Sequence, residues 1–153
     1  MLKYLFITIL VIVFDQASKW LMMSWLSLYE TVAVMPYFNL TMAHNEGAAF
    51  SFLAQAGGWQ RWFFIGLALI ISVLLLVWLA KLKPTEKLEA ISLSLILGGA
   101  IGNVIDRISY GYVVDFIDLY IGQNHWPVFN IADSAICIGA ILLIADSFKS
   151  ETA

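Results

Sequence analysis

The sequence predicts an α-helical integral membrane protein with four transmembrane helices and short β-strands at the membrane surface. The 153-residue chain is 61% hydrophobic and only 12% charged, about half the charged fraction of soluble domains. Four apolar stretches are long enough as helices to cross a hydrocarbon core of about 30 Å. We therefore expect one membrane-embedded domain over residues 1–153, with spans at about 4–25, 60–80, 88–107 and 129–148 and outer segments at about 26–59 and 108–128.

The first apolar stretch, residues 4–25, predicts a membrane helix that contains one acid and one base. A cleaved signal peptide is the alternative, but the apolar character resumes after Lys19, which a signal peptide does not require. Asp15 and Lys19 are spaced i,i+4 with the acid first, the favourable order for an ion pair. Two interpretations stay open: the pair only neutralises itself within the membrane, or it supports a polar cavity.

Residues 30–58 have a composition that favours short strands over a membrane-spanning helix. The segment is rich in Val, Phe, Tyr and Thr and is interrupted by Pro36 and Gly47. Residues 45–50 (NEGAAF) combine Asn and Gly, which allow a left-handed turn and a close backbone approach. An ordinary turn explains these six residues on their own, and residues 45–58 could also form a lid over a site.

The second and third spans differ in how they are expected to pack. Residues 62–80 carry no charge and are flanked by basic residues, which makes them the clearest transmembrane helix. The third span places small residues four apart, so another helix can approach closely and this helix is expected at the centre of the bundle. These small residues are Ala90, Ser94, Gly98 and Gly102.

Three polar side chains, Asn103, Asp106 and Arg107, come together where the third helix reaches the membrane interface. Interfacial anchoring explains part of this cluster. The positive-inside bias then sets the orientation, because five basic residues fall on one side and three on the other. Both termini are therefore expected in the cytoplasm, and this polar end of the third helix at the outer interface.

Asp115 and Asp133 are the acids to which the sequence points most strongly. With this topology Asp115 follows the outer end of the third helix, and Asp133 lies in the first turn of the fourth. Taken singly, Asp133 could belong to a capping-box-like start with Asn130, and Asp115 could be a loop acid at the headgroups. Taken together, two acids at equal depth in a half-dry site would share one proton, which suits them to activate water and protonate an amide carbonyl.

Other classes of protein and site are less well supported by the sequence. The net charge of −3, with few and scattered basic residues, excludes a nucleic-acid partner. Neither histidine has a ligand or general-base spacing, and Cys137, the one cysteine, is expected to pack inside a helix. The alternatives that remain are a small transporter, a structural subunit, and a divalent-metal-dependent lipid-phosphate enzyme using Asp106, Asp115, Asp118 and Asp133.

Five motifs in a fixed order resemble the lipoprotein signal peptidases (signal peptidase II), bacterial aspartic proteases of the cytoplasmic (inner) membrane. The motifs cover essentially the whole chain. The first two are unspecific alone, whereas the last three in order are specific. They are Asp15 with Lys19, residues 45–50 (NEGAAF), residues 98–107 (GGAIGNVIDR), residues 113–116 (VVDF) and residues 129–134 (FNIADS).

The resemblance implies four transmembrane helices, a small extracytoplasmic β-rich cradle, and a catalytic pair formed by Asp115 and Asp133 near the outer face. It implies a membrane aspartic endopeptidase that removes the signal peptide of diacylglyceryl-modified prolipoproteins by cutting just before the lipid-modified cysteine. It further implies susceptibility to globomycin, no cofactor or metal, and partners limited to lipid-modified substrates and membrane lipids; a monomer is expected. Positions matching those that bind substrate or support the site are Asp15, Lys19, Asn45, Gly47, Asn103, Arg107, Asn130 and Ala132.

Overall fold

The computed structural model describes residues 1–47 and 58–150, without the side chains of residues 149 and 150. Four long helices dominate this part of the chain, and each is long and apolar enough to cross a membrane. The prediction of a multi-pass membrane protein with four transmembrane helices is confirmed. A short 3-10 turn (Leu2–Tyr4) precedes the first of them. The helices are α1 (Leu5–Trp25), α2 (Trp59–Lys81), α3 (Lys87–Ser109) and α4 (Ile131–Ser150).

Helix α3 occupies the centre of the bundle, as its row of small residues predicts. It packs against each of the other three helices, and 56% of its span is buried, against 17–28% in the others. A side chain at Gly99 would overlap the backbone carbonyl oxygen of Ala132, and a Cβ at Gly98 would lie 2.7 Å from Val11 Cβ. The glycines therefore let α4 and α1 approach the backbone of α3.

A four-stranded antiparallel sheet covers one end of the bundle. Its strands are β1 (Thr31–Met35), β2 (Phe38–Asn45), β3 (Val113–Ile121) and β4 (Asn124–His125), in that order. The β2–β3 pairing joins the α1–α2 connection to the α3–α4 connection and sets Ala43 opposite Asp115. The strands expected in the first outer segment are confirmed, whereas sequence analysis did not predict β3.

The sheet rests on an apolar layer contributed by α1 and by its own inner face. Met22 and Leu26 at the end of α1 pack against Met42, Val114 and Phe116. Burial of this layer contributes free energy to the position of the sheet, at about 25 cal/mol per Å² of apolar surface removed from water. Because Val114 and Phe116 flank Asp115, this layer also fixes where that carboxylate lies.

One sequence expectation requires correction at α4. The helix, expected from about residue 129, begins at Ile131, because the backbone of Phe129 is paired with Ile117. Cys137 lies in the helix as expected but is exposed, so the prediction that it packs inside is wrong. Only 17% of the α4 span is buried, because α3 covers little more than one of its faces.

Candidate active site

A cavity of about 690 Å³ lies at the sheet end of the bundle. It is bounded by the ends of β2 and β3, the polar end of α3, the first turns of α4 and the segment that leads from β4 into α4. Asp115 and Asp133 both line it, so the structure brings the two predicted acids together in one cavity. The other predicted residues that line it are Asn45, Asn103 and Arg107.

Asp115 is held in β3 by the pairing with β2 and by two neutral amides. Its Oδ1 accepts a hydrogen bond of 2.7 Å from Asn130 Nδ2, and its Oδ2 accepts one of 3.2 Å from Asn45 Nδ2. The side chain is only 2% exposed. Burial, and secondarily the charge of Asp133, raise the pKa of Asp115 from 3.8 to about 7, although both amides oppose the shift. Near neutral pH this carboxyl can therefore hold or release a proton.

Asp133 lies in the first turn of α4, where the helix dipole favours a negative charge. Its Oδ1 accepts a hydrogen bond of 2.8 Å from Asn103 Nδ2, so α3 fixes the orientation of the carboxylate. Its backbone N–H donates to Asn130 Oδ1 at 2.8 Å, which is the N-terminal cap expected of an Asn three residues earlier. The capping interpretation is therefore correct and coexists with a position in the cavity.

Asn130 connects the two acids through the two ends of one amide. Its Oδ1 caps α4 next to Asp133, while its Nδ2 donates to Asp115 and, at 3.2 Å, to Asn103 Oδ1. The residue is fully buried. A single side chain thus sets the start of the helix and the position of the strand acid.

A fully buried ion cluster lies directly behind the cavity. Lys19 Nζ is 2.8 Å from Asp15 Oδ2 and 2.8 Å from Asp106 Oδ2, and it donates to Asn103 Oδ1 at 3.1 Å. Gln16 Nε2 donates to Asp106 Oδ1 at 2.8 Å and to Asp15 Oδ2 at 3.2 Å. The i,i+4 pair of α1 is therefore part of a network that reaches the cavity through Asn103.

The remaining predicted residues hold the backbone around the cavity. Arg107 Nη2 donates to the carbonyl of Gly47 at 2.9 Å, and Gly47 N donates to Asn45 Oδ1 at 3.0 Å. The backbone N–H of Ala132 donates to Asp15 Oδ1 at 2.9 Å, which ties the start of α4 to α1. Residues 48–50 of the NEGAAF motif, and most of the segment suggested as a lid, lie outside the described residues.

Sequence analysis missed two members of this network, Asp106 and Gln16. Asp106 was noted beside Asn103 but was not assigned to the site, although its row with Gly98 and Gly102 placed it on the face toward α1. Nothing in the sequence indicated Gln16.

The geometry does not support the metal-dependent alternative. Asp118 bonds His125 Nδ1 at 2.7 Å, and within residues 1–47 and 58–150 no three acidic, His or Cys side chains form a metal-binding group. The four aspartates that a divalent-metal enzyme would use therefore do not come together.

Comparison with known proteins decides the family. The profile described as "Signal peptidase (SPase) II" matches residues 7–149 of this chain. The chain belongs to the signal peptidase II family. The resemblance drawn from the five motifs is thereby confirmed, and signal peptidase II function, with peptidase activity, follows for this protein.

Relatives named lipoprotein signal peptidase align over nearly the whole signal peptidase II chain. The protein from Alteromonas mediterranea is 52% identical over 97% of this chain and 82% of its own length. The protein from Photorhabdus laumondii is 53% identical over 97% of this chain and 89% of its own length. A bacterial membrane enzyme solved by the in meso method at 2.3 Å superimposes with a TM-score of 0.88 at 35% identity, covering 97% of this chain and 89% of that one.

Proposed function

We propose that this signal peptidase II is an aspartic-type peptidase that removes the signal peptide from diacylglyceryl-modified prolipoproteins by cutting just before the lipid-modified cysteine. The observation that carries the proposal is the convergence of Asp115 and Asp133 on one cavity at the sheet end of a membrane bundle. The names of the relatives support the substrate class.

The two carboxyls divide acid and base chemistry between them. One carboxylate takes a proton from water as the water oxygen attacks the scissile carbonyl carbon, and the protonated partner gives its proton to the carbonyl oxygen. When the tetrahedral intermediate collapses, the C–N bond breaks and the first acid gives its proton to the leaving nitrogen. One hydroxyl proton of the intermediate returns to the second acid, so the pair regains its starting state.

The position of the cavity, at the sheet end of the helix bundle, suits a substrate that carries acyl chains. The acids lie where helices end and the sheet begins, so water can reach the scissile bond while the acyl chains stay in the bilayer. The cavity wall beside the acids includes Trp126, Phe129 and Ile136. An apolar wall next to a carboxyl pair fits a lipid-modified residue better than an unmodified polar peptide.

Support for the catalytic pair is assigned to the residues around it. Asn103, Asn130 and Asn45 orient the carboxyls. Arg107 holds Gly47 at the end of β2, Asp15 and Ala132 join α1 to α4, and Lys19 joins α1 to α3. Globomycin, as an inhibitor of this family, is expected to bind in the same cavity.

The protein is assigned to the bacterial cytoplasmic membrane with both termini in the cytoplasm, and we expect it to act as a monomer. The chain enters α1 and leaves α4 at the end of the bundle opposite the sheet, where the α2–α3 turn carries Lys81, Lys83 and Lys87. Basic residues favour the cytoplasmic side. The cavity then opens at the outer face, where exported prolipoproteins arrive.

The test is cleavage by the purified protein in detergent of a diacylglyceryl-modified prolipoprotein and its unlipidated twin, both in EDTA. We expect cleavage of the lipidated precursor alone, with mass spectrometry giving a product that begins at the modified cysteine. Equal cleavage of both precursors would remove the lipid requirement. Loss of cleavage in EDTA, restored by a divalent cation, would favour the metal-dependent alternative.

A further inference from the structure

Lys19 is connected by hydrogen bonds to one member of the pair, Asp133, through Asn103. Its ammonium group is 1% exposed and has three acceptors: the carboxylates of Asp15 and Asp106, and the amide oxygen of Asn103. These three contacts use all three N–H donors of the ammonium. Two of the contacts are to carboxylates, which offset the charge of the ammonium group. The third contact is to Asn103, which lines the cavity.

Asn103 passes this polarisation on to Asp133. A cation at the amide oxygen draws electron density from the amide nitrogen, so the N–H groups become stronger donors. Asn103 Nδ2 donates to Asp133 Oδ1 at 2.8 Å, and a stronger donor favours the ionised carboxylate. The first turn of α4 acts in the same direction through the helix dipole.

Lys19 also favours ionisation of Asp115 through space, but among the described residues Asp115 has no hydrogen-bond donor that Lys19 contacts. It lies on a strand, which has only a small dipole, and its two donors are the side-chain amides of Asn130 and Asn45. It is almost fully buried. The raised pKa of Asp115, near 7, is consistent with this difference in surroundings.

We propose that Lys19, acting through the amide of Asn103, keeps Asp133 as the ionised base and leaves the shared proton on Asp115. The carboxylates of Asp106 and Asp15 limit how much of the lysine charge reaches Asp133. The inference rests on the proposed function and assigns its two roles. Asp133 takes the proton of the attacking water, and Asp115 gives its proton to the carbonyl oxygen. Lys19, Asp15 and Asp106 are positioning residues, because they act through Asn103 and through the backbone N–H groups of Ala132 and Val114 and do not touch the substrate.

Other charges near the pair bear on both acids and do not by themselves select one. Arg107 lines the cavity with both acids, so its charge favours ionisation of either. Among the described residues, the charged and titratable groups that face the pair are Asp15 and Lys19 from α1, Asp106 and Arg107 from α3, His44 and Glu46 from the end of β2, and Cys137 from α4.

The test is the pH profile of kcat/KM for two variants that change the cluster charge in opposite directions. Asp106→Asn removes a negative charge beside Lys19 at nearly constant shape, so the acid limb is expected to move to lower pH by about half a unit. Lys19→Met removes the positive charge, so the same limb is expected to move to higher pH. Asp146→Asn, at the opposite end of α4, is the control and leaves the profile unchanged.

The direction of the two shifts tests whether the cluster charge acts on Asp133. A merely structural cluster would lower activity without moving the acid limb of the pH profile in opposite directions in the two variants. If Lys19→Met fails to fold, Asp15→Asn replaces it and is expected to shift the limb in the same direction as Asp106→Asn. Active Asp106→Asn and Asp15→Asn variants with unmoved limbs would overturn the inference and leave the proposed function standing. Full activity of Asp133→Asn would overturn both.

A spectroscopic measurement tests the assignment without turnover. In carboxyl carbon-13 NMR titrations, the remaining acid of Asp115→Asn, which is Asp133, is expected to ionise at lower pH than the remaining acid of Asp133→Asn, which is Asp115. The reverse pattern would contradict the assignment.

Discussion

Asn130 illustrates at the scale of one residue why the site and the fold cannot be separated. Its side-chain oxygen caps α4 and its amide nitrogen holds Asp115, so the start of the helix and the position of the strand that carries Asp115 depend on the same planar group. A carboxamide supplies both an acceptor for the helix cap and a donor for the carboxylate, whereas an ionised Asp at this position could cap the helix but could not donate.

The raised pKa of Asp115 makes the stability of the folded protein depend on pH. An acid that binds its proton more tightly in the folded state makes the protein less stable as pH rises between its unfolded and folded pKa values, here from about 4 to about 7. Asp115→Asn removes this pH-dependent term, which can reach about 4 kcal/mol for a shift of about three units.

We therefore expect the thermal midpoint of Asp115→Asn in detergent, relative to the unsubstituted protein, to rise between pH 5 and pH 8. The asparagine also changes hydrogen bonds, which adds an offset that does not depend on pH, so the informative quantity is the change of the midpoint difference with pH. A difference between the two proteins that stays the same across this range would contradict the raised pKa.

At the scale of elements, hydropathy predicted the four helices because each span is determined by its own residues. The β2–β3 pairing depends on two segments about 70 residues apart, and no local pattern specifies which strands meet. The contact between Lys19 and Asp106 is similarly remote, so the sequence predicted the Asp15–Lys19 pair but not its third member. Cys137 was misassigned because apolar composition does not distinguish a helix face packed against protein from one that borders a cavity.

Close packing of α3 against α4 gives a prediction for this pair of helices. Gly99→Ala would place a Cβ into the carbonyl oxygen of Ala132, next to Asp133, and backbone cannot move aside as a flexible side chain can. We expect a loss of about 1–3 kcal/mol in stability and a clear loss of cleavage. The matched control is Gly66→Ala in α2, where a Cβ meets nothing within 4 Å.

Thermal unfolding in detergent and the cleavage assay measure both effects. Gly66→Ala is expected to retain the midpoint and the activity of the unsubstituted protein. Equal behaviour of the two alanine variants would show that α3 and α4 are not packed through Gly99.

At the scale of the whole molecule, the orientation in the membrane determines which side supplies the substrate. The start of α1 and the end of α4 lie opposite the sheet, so fluorescent-protein fusions at either terminus are expected to fluoresce in the cytoplasm and periplasmic-phosphatase fusions there to be inactive. A phosphatase fused at Asn124, in the sheet, is expected to be active. An active phosphatase at the C-terminus would place the catalytic cavity on the cytoplasmic face and contradict the proposed topology.

The central claim is that Asp115 and Asp133 together cleave a lipid-modified precursor, and the most direct measurement compares Asp115→Asn, Asp133→Asn and Asp146→Asn in the EDTA-containing gel-shift assay. The account predicts that each of the first two variants inserts and folds but cleaves the diacylglyceryl-modified prolipoprotein about 100-fold more slowly or not at all. Asp146→Asn, on the same helix as Asp133 but at its far end, is predicted to cleave normally. Turnover retained by either of the first two variants would contradict the catalytic pair.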